Sequence, residues 1–251
     1  MDLHDKVALV TGGSSGIGKA TALAFAQCGA KVVIASRGQA HGEAAVEEIK
    51  GLGGDARWIQ TDVSKADQVE AMVRGTIEAY GRLDYAFNNG GSGGKGGWIV
   101  DIQEVDWDAT IDGFLKSVWL CMKFELIEML KQGNGAIVNN SSVDGQRAFP
   151  WDPVYSAAKH GVLGLTKSAA LQYADKGIRI NAVCPGWIRT PPIEDMLKHN
   201  PESKQGMLQH QPIGRLGKPE EVAEAVVWLC SDSASLIVGT ALAVDGGYLI
   251  I

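Results

Sequence analysis

Short apolar runs alternate with longer segments of helical period along almost all of this chain, and that alternation admits few folds. The runs are Lys6–Val10, Lys31–Ser36, Ala56–Thr61, Leu83–Asn88, Gly135–Asn140, Ile178–Cys184 and Ala241–Val244. Between them lie stretches such as Asp67–Tyr80, where Val69, Val73 and Ile77 recur every fourth residue and share a helix face. Strand–helix alternation of this kind predicts an α/β architecture, a parallel sheet with helices on both faces. VALV and KVVIA are apolar on both sides, as a doubly covered sheet demands. No Pro/Ser-rich linker, charge run or internal repeat interrupts the pattern. Residues 1–251 therefore read as a single doubly wound domain of about seven strands.

Composition removes several function classes. Acidic residues number 29 against 23 basic, and no basic stripe is present, so a nucleic-acid partner is not expected. No apolar run approaches the length needed to cross a bilayer. The first residues, MDLHDKVALVTGG, carry two aspartates and only a short apolar run, which does not read as a signal peptide. Cys28, Cys121, Cys184 and Cys230 show no CxxC spacing and read as buried free thiols of a reducing, cytoplasmic compartment. The five histidines have no paired spacing, so no metal site is expected.

Two stretches break the alternation. Residues 90–97 read GGSGGKGG, six glycines in eight, a turning or flexible loop. It is no phosphate loop of the Walker type, because Gly96 follows Lys95 where Ser or Thr is needed. Residues 187–214 contain Pro191, Pro192, Pro201 and Pro212 and read as an irregular excursion that forms a substrate lid or binding loop.

The chemistry concentrates at the strand ends. The first strand runs into Thr11-Gly12-Gly13-Ser14-Ser15-Gly16-Ile17-Gly18 and then an alanine-rich helix. Glycines at 12, 16 and 18 let backbone N–H groups approach a pyrophosphate at the helix N-terminus. Alone, such a turn is a weak signal; on the first strand of an α/β chain it points to a dinucleotide. The second strand ends in Ala35-Ser36-Arg37, without the carboxylate that would bind a ribose diol and with a cation suited to a 2′-phosphate. NADP(H) is therefore expected over NAD(H). Asp62-Val63 follows the third strand, placed for the adenine ring, and Asn88-Asn89-Gly90-Gly91 the fourth. Tyr155 and Lys159 stand at i, i+4 and share one helix face. An ammonium close to a phenol lowers its pKa and suits it to acid–base work. A hydroxyl from Ser142 would polarise a substrate carbonyl at the same spot.

Together these residues resemble the short-chain dehydrogenase/reductase family. The likeness covers nearly the whole chain: TGGSSGIG at 11, DV at 62, NNGG at 88, SS at 141, YSAAK at 155, and Pro185-Gly186-Trp187-Ile188-Arg189-Thr190. It extends to Pro212–Gly217 and Val244–Tyr248. The resemblance implies a Rossmann-like fold and hydride transfer between a nicotinamide and a carbonyl or alcohol. It implies Tyr155 as proton donor or acceptor, and Lys159 as the group that tunes it and binds the nicotinamide ribose. Ser142, thirteen residues before the tyrosine, would orient the carbonyl, leaving Ser141 a structural neighbour. Thr190 and the Ile188 backbone would hold the carboxamide, with Pro185, Gly186, Asn88 and Gly90 lining the cofactor cleft. One position departs from the pattern: the family asparagine after the fourth strand falls on Phe114, which puts the proton relay to the lysine in question. On that ground Phe114→Asn is expected to hold or modestly raise the rate.

The resulting expectation is an NADP(H)-linked carbonyl reductase or secondary-alcohol dehydrogenase with a small, fairly apolar substrate. A β-ketoacyl or sugar reductase of the same family is one alternative, and a nucleotide-binding protein without redox turnover is another. Trp98, Trp151 and Trp187 lie in segments that border the substrate cleft. Small residues on Tyr155–Asp175, together with the helix Asp106–Lys131, suggest surfaces for a homo-oligomer, a tetramer by resemblance.

Overall fold

Each of the seven apolar runs forms a strand; the five central ones are largely buried on both sides, as a doubly covered sheet requires, whereas the two edge strands, Ala56–Gln60 and Ala241–Val244, are partly exposed. A computed structural model describes all 251 residues, Met1–Ile251. The strands are β1 (Val7–Thr11), β2 (Lys31–Ser36), β3 (Ala56–Gln60), β4 (Tyr85–Asn88), β5 (Gly135–Asn140), β6 (Ile178–Pro185) and β7 (Ala241–Val244). They make one sheet in the order β3-β2-β1-β4-β5-β6-β7, with every neighbouring pair parallel. Strand order reverses between β1 and β4, and the crevice at their carboxyl ends is where ligands bind in such sheets.

Helices α1 (Gly16–Gln27), α2 (Gln39–Gly51) and α9 (Pro219–Cys230) cover one face, where Phe25, Ile49, Val226 and Leu229 are buried with the strand residues Ala8, Val10 and Ile34. Helices α3 (Ala66–Tyr80), α5 (Ser117–Gln132) and α6 (Pro153–Tyr173) cover the other face, where Met72, Leu126 and Val162 meet Leu9, Val33 and Ile137. The fourth helix, α4 (Glu104–Ile111), does not run straight into α5. A π turn at Asp112–Lys116 interrupts what the periodicity predicts as one helix over Asp106–Lys131. Such single-turn π segments are a known cause of kinks.

The stretch 187–214, expected to be irregular, instead folds into two short helices, α7 (Pro191–His199) and α8 (Ser203–Gln209). Its prolines mislead because Pro191 and Pro192 stand in the first turn of α7, where a missing N–H costs nothing. All four cysteines are free; Cys121, Cys184 and Cys230 are buried, whereas Cys28 is only half-buried. No helix is long and apolar enough to cross a membrane.

Candidate active site

The carboxyl ends of β1 and β4 are locked together by one threonine. Thr11 Oγ1 accepts from the backbone N–H groups of Asn89 and Gly90, each at 2.9 Å, and Asn89 Nδ2 donates to Thr11 O at 3.1 Å. The chain then turns through Gly12 at φ +64° and Gly16 at φ +52°, the left-handed region that glycine tolerates. A side chain at Gly18 would collide with the Gly12 carbonyl, so this helix can seat on the turn only without a Cβ. The first turn of α1 holds no acidic residue and no side-chain cap, which leaves its N–H groups available to an anion. Beside it opens a cavity of about 690 Å³ lined by Gly12, Ser14, Ser15, Ser36, Arg37, Asp62, Val63 and Gly90, among others.

A second cavity, about 560 Å³, adjoins the first at Gly93 and carries Ser142 and Tyr155 in its wall. Tyr155 is placed by the start of α6: Asp152 Oδ1 accepts from the Tyr155 N–H at 3.0 Å, and Pro153 opens the helix. One turn on, Lys159 is buried, and its Nζ donates to Asn140 O at 2.7 Å and lies 5.5 Å from the Tyr155 ring centroid. Ser142 Oγ accepts from Asp144 N–H at 3.1 Å. Ser141 points the other way and donates to Lys159 O at 2.9 Å, a structural bond that ties β5 to α6.

Residues 12–249 match the family described as enoyl-(acyl carrier protein) reductase. The chain is 43% identical over 245 residues to the cyclohexanol dehydrogenase of Acinetobacter sp. (strain SE19), across 98% of this chain and 95% of that protein. It is 41% identical over 250 residues to the 3-oxoacyl-(acyl-carrier-protein) reductase of Thermotoga maritima, across 100% of both. A solved structure of an actinorhodin polyketide ketoreductase variant with NADPH superposes with a TM-score of 0.94 at 35% identity, covering 100% of both chains. The chain belongs to the short-chain dehydrogenase/reductase family.

As a short-chain dehydrogenase/reductase it is an oxidoreductase of alcohols or ketones. Most positions expected from its sequence line one cavity or the other, whereas Gly16, Gly18 and Lys159 line neither. Ile17, Pro185, Gly186, Ile188 and Thr190 line the second cavity with Ser142 and Tyr155. Gly16 faces Thr190, whose Cγ2 would lie 3.3 Å from an added Cβ. Asn88 needs correction. Its side chain is buried beneath the cleft rather than in its wall, donating to Glu125 Oε2 and to Asn139 Oδ1, each at 3.0 Å. An amide this deep satisfies its donors with protein groups. Of the tryptophans, Trp187 lines the second cavity, while Trp98 and Trp151 meet edge-on at 5.4 Å and remain exposed.

Electrostatics correct a second expectation. Burial, foremost, and the nearby Asp144 raise the Tyr155 phenol, while the Ser142 hydroxyl pulls it down, so the net direction is opposite to the expected lowering. Lys159 is itself drawn down to about 8 by burial, with Cys184 and Asp144 opposing. Asp144 is pushed up to about 6 by burial and by Asp152, against His160 and Lys159. The periodicity could not expose Asp144, Phe149 or Glu125, because nothing in their local spacing marks them. No cluster of three or more His, Cys, Asp or Glu side chains is placed to hold a metal ion.

Proposed function

We propose that this enzyme interconverts a small cyclic or otherwise apolar secondary alcohol and its ketone with NADP(H). The observation that carries the reading is the opening of Ser142 and Tyr155 onto a cavity walled by Phe114, Phe149, Trp187 and Tyr248. Aromatic walls favour a compact apolar ring over a hydrated polyol. That lining holds Asp144 and Asp152 but no lysine or arginine, which disfavours an acidic acyl carrier. The cyclohexanol dehydrogenase relative agrees with this choice.

The residues around the first cavity fit a dinucleotide: a turn that a Cβ would fill, free helix N–H groups, and no acid at the end of β2. Gly12, Ser14, Ser15 and Ile17 would hold its pyrophosphate side, and Thr190, Ile188 and Lys159 its nicotinamide side. Bound there, the cofactor supplies or accepts a hydride. Ser142 donates a hydrogen bond to the substrate oxygen. In reduction the Tyr155 phenol gives its proton to the forming alkoxide; in oxidation the same oxygen takes the alcohol proton. Lys159 keeps a positive charge beside that phenol and favours its ionised form. Turnover of cyclohexanol with NADP⁺ tests the reading: formation of cyclohexanone is expected, and failure with cyclohexanol and other cyclic secondary alcohols would overturn it.

The preference for NADP(H) rests on Ser36 and Arg37. Trp58 Nε1 donates to Ser36 Oγ at 2.9 Å, which leaves the Ser36 O–H free to donate to a phosphate. Arg37 lines the same cavity and makes no ion pair within 4.0 Å. Arg37→Asp is expected to weaken NADPH binding by roughly 10- to 100-fold, the loss of about 1.5–3 kcal/mol from a charged hydrogen bond, and to spare NADH. Fluorescence titration of both cofactors reads the result; NADH binding equal to or tighter than NADPH binding by the unaltered protein would contradict the preference.

The same protein is proposed to self-associate. Trp119, Ile127 and Leu130 on α5 and Leu171 on α6 are exposed apolar side chains that a second copy would cover. Sedimentation equilibrium should give a multiple of 26.6 kDa, and a monomer mass at micromolar concentration would exclude it.

A further inference from the structure

The ammonium of Lys159 sits in a corner between two aromatic rings. Its Nζ lies 5.0 Å from the Phe114 ring centroid and 5.5 Å from that of Tyr155. The two rings meet at 87° with centroids 5.0 Å apart, the edge-to-face arrangement aromatic pairs prefer. No carboxylate pairs with this lysine; its one hydrogen bond goes to the Asn140 carbonyl. The backbone is shaped around the ring. The π turn carries Phe114, with Ser117 Oγ donating to Gly113 O at 2.7 Å. Side chains at Gly91 or Gly93 would come within 2.8 Å of the ring, so the glycine-rich loop leaves the space it fills.

We propose that Phe114 is a positioning residue, a π-face clamp that keeps the Lys159 ammonium charged and holds it against the Tyr155 ring. The proposal rests on reading Tyr155 and Lys159 as the reacting pair. A cation over a ring face is attracted by the ring quadrupole, and more so when desolvated. This replaces the expectation that position 114 merely lacks a relay group: the π turn forms with phenylalanine there, and the ring has work of its own. Phe114→Asn should therefore cost activity rather than raise it.

The groups facing Lys159 are Tyr155 on its own helix, Asp144 from the turn after β5, and Cys184 from β6. Asp152 and His160 act on Asp144 beside them. Substitution at 114 leaves all of these residues chemically unchanged; Tyr155 meets the ring edge-on, and the fluorinated series keeps the shape of that contact. The test titrates the Lys159 side chain by ¹³C NMR of its ε-carbon, assigned by its loss in Lys159→Met. Phe114→Leu should move the midpoint toward acid by ~0.5–1 pH unit, and Phe114→Tyr should retain it. Fluorinated phenylalanines at 114 keep the shape and should lower the midpoint in order of fluorine count. The alkaline limb of ketone reduction should move with it. An unmoved midpoint in Phe114→Leu, or a fluorinated series without order, would overturn the clamp. A uniform loss of rate with no shift would overturn it too, leaving packing as the whole of the ring's role. The NMR reading needs no substrate, so it stands apart from any failure of cyclohexanol turnover.

Discussion

Tyr155→Phe should reduce turnover by roughly 10²- to 10⁴-fold, the usual contribution of a positioned acid or base, and leave cofactor affinity unchanged. The substitution removes one oxygen and keeps the ring, so the edge-to-face contact with Phe114 and the packing of Lys159 survive. What is lost is the hydroxyl that opens beside Ser142 onto the aromatic cavity. Its neighbours cannot replace it. Ser142 has no suitable pKa, and Lys159 is buried on the Asn140 carbonyl. Stopped-flow measurement of hydride transfer with cofactor titration in parallel checks both halves. Retained turnover would remove Tyr155 from the mechanism.

Glu125→Gln should change how stability depends on pH. Glu125 lies on α5 with no exposed surface; Asn88 Nδ2 donates to Oε2, and Oε1 has no partner. Burial raises this carboxyl from 4.5 to about 7, partly offset by the Asn88 hydrogen bond. The sign follows from proton counting. Between the two values the native protein holds a proton that the unfolded chain has released, so stability falls as pH rises through that window. At ~1.4 kcal/mol per pH unit the full loss is ~3 kcal/mol. Glutamine keeps an oxygen for Asn88 and cannot ionise. The variant should therefore gain up to ~3 kcal/mol on the wild type near pH 8, with the gap closing below about pH 4.5. Urea unfolding across that range checks it, and parallel curves would place the charge elsewhere.

The alternation of apolar runs with helical periods is enough to determine the parallel sheet and its two covered faces. Strands buried on both sides have no other composition, and helices must cross over between them. The glycine turn and the shared helix face of Tyr155 and Lys159 are legible for a related reason, since tight turns and i, i+4 pairs are local geometry. The choice of Ser142 and the roles of all three come from the family resemblance. Local pattern fails where the deciding contact is distant in sequence. Pro191 and Pro192 read as helix breakers, yet the chain begins α7 at that point. Asn88 reads as a cleft residue, yet β4 places it over Glu125, 37 positions away. Phe114 reads as a missing asparagine. Only the tertiary structure sets it against both Tyr155 and Lys159, because those contacts need a π turn, a glycine loop and a second helix brought together by the packed sheet.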